Sequence, residues 1–165
     1  IPGKAFAADF TGTPSRYSDP IAVLNTSFTS NQYAQGAVYR APAYSPPDGH
    51  EIELLLRFQI TAHNARGYEV LWAHTGGIAI VRWNGPVGNY TELANASIGA
   101  AVDGDVLRAE IIGNVIRVYK NGNLVLTASD PNSTWTDGQP GIGFWPLAGG
   151  TLASYGWKAY SAGSL

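Results

Sequence analysis

The sequence predicts an all-β domain in which two antiparallel sheets pack as a β-sandwich or jelly roll. The 165 residues include 20 glycines and 10 prolines, and short runs rich in Val, Ile, Leu, Tyr and Trp lie between them. Many short apolar runs separated by turn residues are typical of sandwiches and barrels. No window keeps apolar residues at the i, i+3, i+4, i+7 spacing of an amphipathic helix. Hydrophobic residues make up 45% of the chain and charged residues 13%, which is the opposite of the balance in disordered chains.

The N-terminal half contains three predicted strands, at residues 5–10, 32–40 and 51–61. Strand 51–61 shows the clearest period-2 alternation, which predicts one core face and one polar face. Its expected core face carries Ile52, Leu54, Leu56, Phe58 and Ile60. Its expected polar face carries Glu51, Glu53, Arg57 and Gln59, with Leu55 as an apolar exception.

The chain after residue 61 supplies the remaining predicted strands, joined by short turns. Gly113-Asn114 and Asn121-Gly122 are pairs that favour the positive φ of two-residue hairpin turns. Connections this short force antiparallel neighbours. No internal repeat or linker interrupts the pattern, so we expect residues 1–165 to form one jelly-roll domain. The predicted strands are residues 68–74, 77–83, 105–112, 115–120, 124–129, 141–146 and 151–160.

Charge and composition exclude several classes of partner. The formal net charge is −2, and the ten Lys and Arg residues are scattered along the chain. Nucleic-acid-binding domains usually carry a basic patch or stripe, so we expect no nucleic-acid partner. No apolar run approaches the about 20 residues of a membrane-spanning helix, so we expect no membrane span. The absence of Cys excludes disulfides and thiolate metal sites.

The start of the chain and its sequons predict a secreted or cell-surface protein. The chain begins with Ile1 rather than Met, as expected for a processed product or for a domain of a larger multidomain protein. Asn-x-Ser/Thr sequons fit a secreted history. They begin at Asn25, Asn89, Asn95 and Asn132.

Three stretches carry a resemblance to a known superfamily. They are residues 104–110 (GDVLRAE), 116–122 (IRVYKNG) and 140–144 (PGIGF). Together they resemble the concanavalin A-like lectin/glucanase superfamily, in its laminin-G-like bacterial branch. The resemblance implies a jelly roll of two antiparallel sheets, one of them concave, with polysaccharide bound or cleaved on the concave face or at the rim loops. Because this superfamily holds lectins, carbohydrate-binding modules, hydrolases and lyases, the resemblance informs fold more than function.

Aromatic residues are the main functional clue, and they favour a lectin-like, carbohydrate-binding module that recognises a polysaccharide. Tyr and Trp offer a flat face for sugar rings and a polar tip for hydroxyl groups. The same residues also pack well in β-sheet cores, so each one is either a ligand platform or a core residue. Arg57, Gln59 and Glu53 are expected to hydrogen-bond the ligand. The candidate platforms are Trp72, Trp83, Tyr90, Trp135 and Trp145, with Trp83 and Tyr90 as the expected exposed pair.

A polysaccharide-cleaving enzyme is the first alternative. Glu51 and Glu53 lie roughly 6.5–7 Å apart along one strand face, a spacing compatible with the carboxylate pair of a glycosidase. The superfamily's hydrolases carry a third acid, where this sequence has Leu56. A β-elimination lyase is therefore expected before a hydrolase.

The lyase alternative has its own candidate residues. Arg57 and Gln59 would neutralise a uronate carboxylate, while His74 and Tyr68 would move protons. The Gln-x-His motif of such lyases is absent. The second alternative is a structural or adhesive surface domain, which an exposed apolar patch without a groove would favour.

No cofactor is required by these hypotheses. The three His residues lack the spacing of a catalytic zinc site. The resemblance admits a structural calcium ion, and oxygen-rich loops at residues 103–105 (DGD) and 130–132 (DPN) are its candidate ligands. Turn formation is the other explanation for these Asp and Asn residues.

Overall fold

The computed structural model describes residues 4–6, 19–42, 50–145 and 155–165. These residues form eleven strands and no helix. The strands are β1 (Ile21–Val23), β2 (Gln32–Arg40), β3 (Glu51–Thr61), β4 (Asn64–Ala73), β5 (Gly77–Pro86), β6 (Tyr90–Ser97), β7 (Val106–Ile112), β8 (Val115–Lys120), β9 (Asn123–Ser129), β10 (Gln139–Trp145) and β11 (Tyr155–Ser164).

The strands form two antiparallel sheets that pack face to face. The six-stranded sheet has the order β1-β10-β3-β4-β5-β6, and the five-stranded sheet has the order β11-β2-β7-β8-β9. Their facing sides bury one main apolar core, as expected for a sandwich. This arrangement confirms the predicted all-β, two-sheet jelly roll. The core includes Val38, Ile52, Leu54, Leu56, Tyr68, Val70, Trp72, Leu107, Ile116, Val118 and Trp157.

The two predicted hairpin turns are confirmed. Ile112 pairs with Val115 across the first turn, where Gly113 has a φ of +59°. At the second turn Asn121 and Gly122 have φ values of +51° and +82°, and both values suit a type I′ turn. Turn chemistry therefore fixes the β7–β8–β9 meander.

The structure adds two strands that the pattern did not predict, β1 and β6. Strand β1 has only three residues, and β6 is mostly exposed, so neither shows a clear apolar alternation. Of predicted strand 5–10, Ala5 bridges Trp157, and residues 7–10 lie outside the described residues. Pro146 and residues 151–154 of the last two predicted strands also lie outside them.

A β-bulge in β3 overturns the predicted uniform alternation of that strand. Arg57 has a φ of +47°, and the register with β4 shifts between Leu56 and Gln59. Two residues, Arg57 and Phe58, therefore stand opposite one, Gly67, as in a bulge. Phe58 consequently lies with Leu55 in a second apolar cluster, whereas the alternation predicts opposite faces for these two residues.

No helix of the described residues is long and apolar enough to cross a membrane.

Candidate functional site

The outer face of the six-stranded sheet carries a second apolar cluster. Neighbouring strands β3, β4 and β5 contribute to it, and its members are buried although they point away from the main core. An outer sheet face is commonly solvated and polar, so buried apolar residues mark this face as unusual. The cluster contains Leu55, Phe58, Ala65, Ala79, Val81 and Trp83.

A pocket of about 320 Å³ opens on the same face. This volume lies at the small end of the range of about 300–1,000 Å³ for ligand pockets. Its walls combine carboxyl groups with aromatic and aliphatic side chains, and they come from β3, β4, β5, β6, β10 and the residues before β1. The lining residues are Asp19, Glu51, Glu69, Leu71, Val81, Trp83, Gly88, Tyr90 and Trp145.

Trp83 and Tyr90 form the aromatic side of the pocket. They are cross-strand partners on β5 and β6, with ring centroids 5.8 Å apart and an interplanar angle of 50°. Tyr90 is 58% exposed, whereas Trp83 is 6% exposed. Trp83 Nε1 donates a 2.7 Å hydrogen bond to Glu69 Oε2. Tyr90 therefore offers the open aromatic surface, as expected. The expected exposure of Trp83 is wrong, because Trp83 packs into the second apolar cluster and supports Tyr90 from beneath.

Three carboxyl groups meet beside the aromatic pair. One oxygen from each of Asp19, Glu53 and Glu69 lies within 4.8 Å of the other two. Glu53 and Glu69 are only 1% and 3% exposed. Glu53 Oε2 and Asp19 Oδ1 are buried, and no N–H or hydroxyl group in the described part of the chain donates to them. The two carboxyl groups instead hydrogen-bond each other. We call Asp19, Glu53 and Glu69 the acidic cluster.

Two glycines of β10 make room for the acidic cluster. Gly143 pairs directly with Glu53, and a Cβ atom at position 143 would overlap Glu53 Oε2. A Cβ atom at position 141 would overlap the carbonyl oxygen of Ala22 in β1. The glycines of the 140–144 stretch therefore let Glu53 lie across β10 and let β1 approach.

Burial shifts the pKa values of these acids upward. Burial, followed by the negative charges of Glu69, Asp19 and Glu51, raises the pKa of Glu53 well above its usual range. Burial and the charge of Asp19 also raise the pKa of Glu69. Burial raises the pKa of Asp19 to about 6, and burial together with the Asp19 charge raises the pKa of Glu51 to about 7. Protonated carboxyl groups both donate and accept hydrogen bonds.

Arg57 does not lie on this face, which corrects the prediction that it shares a face with Glu51 and Glu53. The bulge turns its side chain away, and Arg57 is only 2% exposed. Its guanidinium donates to the carbonyl oxygens of Ser30 at 2.6 Å, Trp135 at 3.0 Å and Gly113 at 2.8 Å. Arg57 thus connects three loop segments through buried hydrogen bonds and offers no exposed contact to a ligand.

Two predicted aromatic platforms also lie elsewhere. Trp72 is fully buried in the main core, so it presents no surface to a ligand. Trp135 is half-buried against that core, its Nε1 donates to the carbonyl oxygen of Trp83 at 2.8 Å, and the Arg66 guanidinium covers its ring at 4.7 Å. Trp145, in contrast, lines the pocket as a half-buried residue.

The residues proposed for a lyase are not assembled on one face. Tyr68 is buried in the main core, where its hydroxyl donates to Asp130 Oδ2 at 2.8 Å. His74 is 7% exposed, just after the end of β4. Gln59, near the C-terminal end of β3, accepts a hydrogen bond from Arg66 and donates one to Asp137. None of the three lines the described pocket.

The two oxygen-rich loops direct their carboxylates at donors within the chain. Asp103 accepts from Lys158 Nζ at 2.9 Å, and Asp105 accepts from Asn121 Nδ2 at 2.8 Å. Asp130 accepts from Arg82 at 3.0 Å. These carboxylates therefore stabilise turns and connect strands through hydrogen bonds. Among the described residues, the acidic cluster is the group whose spacing suits a metal ion.

Comparisons with known proteins place the chain by its fold. No protein-family model and no curated protein sequence matches it. Among solved structures it is similar to the carbohydrate-binding module CBM66 from Bacillus subtilis, with a TM-score of 0.67 and 16% identity over 98% of this chain and 92% of that one. It is also similar to sheep galectin-11 in complex with glycerol, with a TM-score of 0.58 and 9% identity over 93% of this chain and 99% of the galectin.

A lyase shares the same fold. Alginate lyase A1-II′, a member of polysaccharide lyase family 7, has a TM-score of 0.61 and 11% identity over 98% of this chain and 78% of the lyase. At these identities the likeness shows the fold alone, a jelly roll of two antiparallel sheets. The function has to be argued from the pocket itself.

Proposed function

We propose that this chain is a carbohydrate-binding module whose outer-face pocket takes a short segment of a neutral polysaccharide. The observation that carries the proposal is one pocket of about 320 Å³ that joins the exposed ring of Tyr90, supported by Trp83, to the carboxyl groups of Asp19, Glu51 and Glu69. A pocket with a few convergent polar groups and perturbed pKa values is the expected form of a binding site.

The two kinds of wall match the two kinds of surface on a sugar. Sugar rings have apolar C–H faces, which stack on aromatic rings such as Tyr90 and Trp145. Sugar hydroxyl groups donate and accept hydrogen bonds, and carboxyl groups such as Glu51 can do both when protonated. The small volume favours one or two rings over a long segment lying in a groove.

The charge of the pocket favours neutral glycans over acidic ones. Its described lining includes three carboxyl residues and no Lys, Arg or His. A uronate carboxylate would find no cationic partner among the described lining residues, and burying a charge without a partner opposes binding. This argues against the lyase alternative, since the cations that would neutralise a uronate, such as Arg57, point elsewhere.

The wider context supports the same proposal. The fold is shared with a carbohydrate-binding module and a galectin, although fold alone does not determine function. We infer that residues 1–165 act as one secreted or cell-surface domain within a larger protein. The sequence stretches quoted above support its placement in the laminin-G-like bacterial branch of the superfamily.

Glycoside hydrolysis is the second candidate function. The oxygen atoms within 4.8 Å of one another in the acidic cluster approach the spacing of about 5–5.5 Å between the two carboxyl groups of retaining glycosidases. Binding is better supported, because Glu53 lies beneath the pocket surface at 1% exposure and does not line it.

The test is retention of the protein on a panel of immobilised neutral and acidic polysaccharides, with analysis of soluble products in the same tubes. We expect retention on at least one neutral polysaccharide, weaker retention on uronate polymers, and no new chain ends. New reducing ends without new ultraviolet absorbance from unsaturated chain ends would establish the hydrolase instead, and new reducing ends with that absorbance would establish the lyase. Retention on no neutral polysaccharide would overturn the binding function.

A further inference from the structure

The acidic cluster contains buried oxygen atoms to which no N–H or hydroxyl group of the described residues donates. These atoms are Oε2 of Glu53, which is 1% exposed, and Oδ1 of Asp19. The Asp19 and Glu53 carboxyl groups hydrogen-bond each other, so they share a proton. Burying a carboxylate without a partner is costly, and buried charges are normally paired or coordinate metals. A cation from outside the chain would take the place of the proton that Asp19 and Glu53 share.

The spacing of the cluster suits calcium. Ca²⁺ takes oxygen ligands at about 2.3–2.6 Å, so two ligands on opposite sides of the ion lie about 5 Å apart. One oxygen from each of Asp19, Glu53 and Glu69 lies within 4.8 Å of the others. Carboxylate donors without His or Cys favour calcium or magnesium over zinc. Magnesium holds its ligands at about 2.0–2.1 Å and demands tighter octahedral geometry.

The neighbouring residues hold the cluster in place. Trp83 Nε1 donates to Glu69 Oε2 at 2.7 Å, which orients that carboxylate in the way that outer hydrogen bonds orient metal ligands. Because Gly143 has no Cβ atom, Glu53 Oε2 can lie directly against it. The site is therefore built by at least two residues that are not themselves candidate ligands.

We propose that Asp19, Glu53 and Glu69 bind a divalent cation, calcium, at the floor of the pocket, and that sugar hydroxyl groups complete its coordination. Asp19 and Glu69 line the pocket, whereas Glu53 lies beneath it, so the free coordination positions of the ion face the pocket. With one oxygen from each carboxylate, the cluster supplies three of the 6–8 oxygens that calcium takes. Water or vicinal hydroxyl groups fill the rest, and this second part rests on the proposed glycan function.

The first experiment needs no glycan. Protein treated with chelator is titrated with CaCl₂ by calorimetry and thermal unfolding, and with Tb³⁺ by luminescence excited through the indole of Trp83. We expect a rise in Tm of about 5–10 °C at a calcium concentration about 100-fold above its Kd. We also expect sensitised Tb³⁺ emission that excess calcium removes.

Matched variants locate the ion. Glu53→Gln is expected to weaken calcium binding by at least about tenfold, whereas Glu92→Gln, on the exposed strand β6 of the same sheet, should leave it unchanged. If Glu53→Gln does not fold, Asp19→Asn gives the same comparison. Calcium binding that is absent from the wild type, or equal in wild type and both cluster variants, overturns the site.

The second experiment separates this inference from the glycan function. Affinity for a retained neutral polysaccharide is measured in calcium and in chelator, and we expect at least about tenfold weaker binding in chelator. Calcium binding without retention on any glycan would overturn the glycan function and leave the cation site standing. Equal glycan affinity in calcium and chelator would overturn the coordination of sugar by the ion.

Discussion

Two buried carboxylate regions of this molecule are equally hidden from solvent but differ in what surrounds them. Asp130 and Glu53 are each 1% exposed. Burial alone would raise the pKa of Asp130, but hydrogen bonds from Tyr68, Thr134 and Arg82 lower it to about 2. For Glu53, burial and nearby acids both raise the pKa well above its usual range.

The two regions differ in their hydrogen-bond donors, and this difference distinguishes a carboxylate that connects the two sheets from carboxylates that adjoin a pocket. Asp130 follows β9 of one sheet, and it accepts hydrogen bonds from Tyr68 of β4 and Arg82 of β5 in the other sheet. Its donors all come from within the chain. Glu53 and Asp19 have oxygens without such donors, and they adjoin a pocket. We infer that Asp130 holds the sandwich together, whereas the acidic cluster is completed by a ligand.

The largest expected effect on the free energy of unfolding comes from removing the Asp130 carboxylate. Asp130→Asn leaves Arg82 without its anionic partner, and removing one member of a buried ion pair is strongly destabilising. We expect a loss of about 3 kcal/mol in the free energy of unfolding, measured by urea denaturation. The control is Asp137→Asn, whose side chain is 65% exposed and which should cost less than about 0.5 kcal/mol. Equal costs for the two variants would contradict the role of Asp130.

Acid pH removes the same interaction by protonating Asp130. The folded-state pKa of Asp130 is about 2, below its ordinary value of 3.8. Its contribution is therefore complete above about pH 4 and is lost as the pH falls towards 2. We expect about 2 kcal/mol of stability to disappear across this window. Urea midpoints of wild type and Asp130→Asn should converge as the pH falls, and a constant difference would contradict the assignment.

Gly143→Ala tests the space that the acidic cluster occupies. A Cβ atom at this position would overlap Glu53 Oε2, so we expect a destabilisation of about 1.5 kcal/mol and a loss of calcium-dependent stabilisation. Gly77→Ala is the matched control, since its Cβ would meet nothing within 4 Å. Thermal unfolding with and without calcium measures both effects. Normal calcium stabilisation in Gly143→Ala would contradict the geometry.

Tyr90→Ala tests the open aromatic wall. Because Tyr90 is 58% exposed, its removal should change the free energy of unfolding by no more than about 0.5 kcal/mol. Loss of ring stacking should weaken glycan binding by about tenfold. Tyr119→Ala is the control, because Tyr119 lies on the other sheet and outside this pocket. Affinity electrophoresis in the retained polysaccharide measures the change, and equal retention of all three proteins would exclude Tyr90 from the site.

The smallest expected change in the free energy of unfolding comes from Glu53→Gln, and its sign is opposite to that for Asp130→Asn. In chelator, Glu53→Gln should leave the free energy of unfolding unchanged or raise it by up to about 1 kcal/mol. The reason is that the new amide can donate to Asp19 and so keep the hydrogen bond that the two carboxyl groups share in the wild type, without a buried charge at position 53. Urea denaturation measures it. A loss close to that of Asp130→Asn would show that Glu53 is itself a structural tie.

Much of the fold was predictable because it depends on local signals. The Gly113-Asn114 and Asn121-Gly122 turns set the β7–β8–β9 meander, and alternation located strands β2 and β3. The bulge at Arg57 was not predictable from alternation, since it depends on Gly67 opposite and on carbonyl groups from distant loops. Strand β6 was missed because it is half of a polar hairpin and buries little.

The candidate site was predictable only in part. Glu51, Glu53, Trp83, Tyr90 and Trp145 were singled out from the sequence. Asp19 and Glu69 were missed, because only the tertiary pairing brings them beside Glu53. Glu69 comes there through the β3–β4 register, and Asp19 comes there because the adjoining strand β1 pairs with β10. The glycines at positions 141 and 143 give a usable signal, since small residues at alternate positions of one strand indicate that a neighbouring group lies across it.

The central claim is that the outer-face pocket binds a neutral glycan, and the tryptophan indole signals in ¹H–¹⁵N NMR test it most directly. Trp83 and Trp145 line the pocket, whereas Trp72 and Trp157 lie in the main core. On addition of a neutral oligosaccharide from the retained polymer, we expect the Trp83 and Trp145 signals to move while the two core signals stay in place. Glycan binding that leaves the Trp83 and Trp145 signals unmoved would contradict the account.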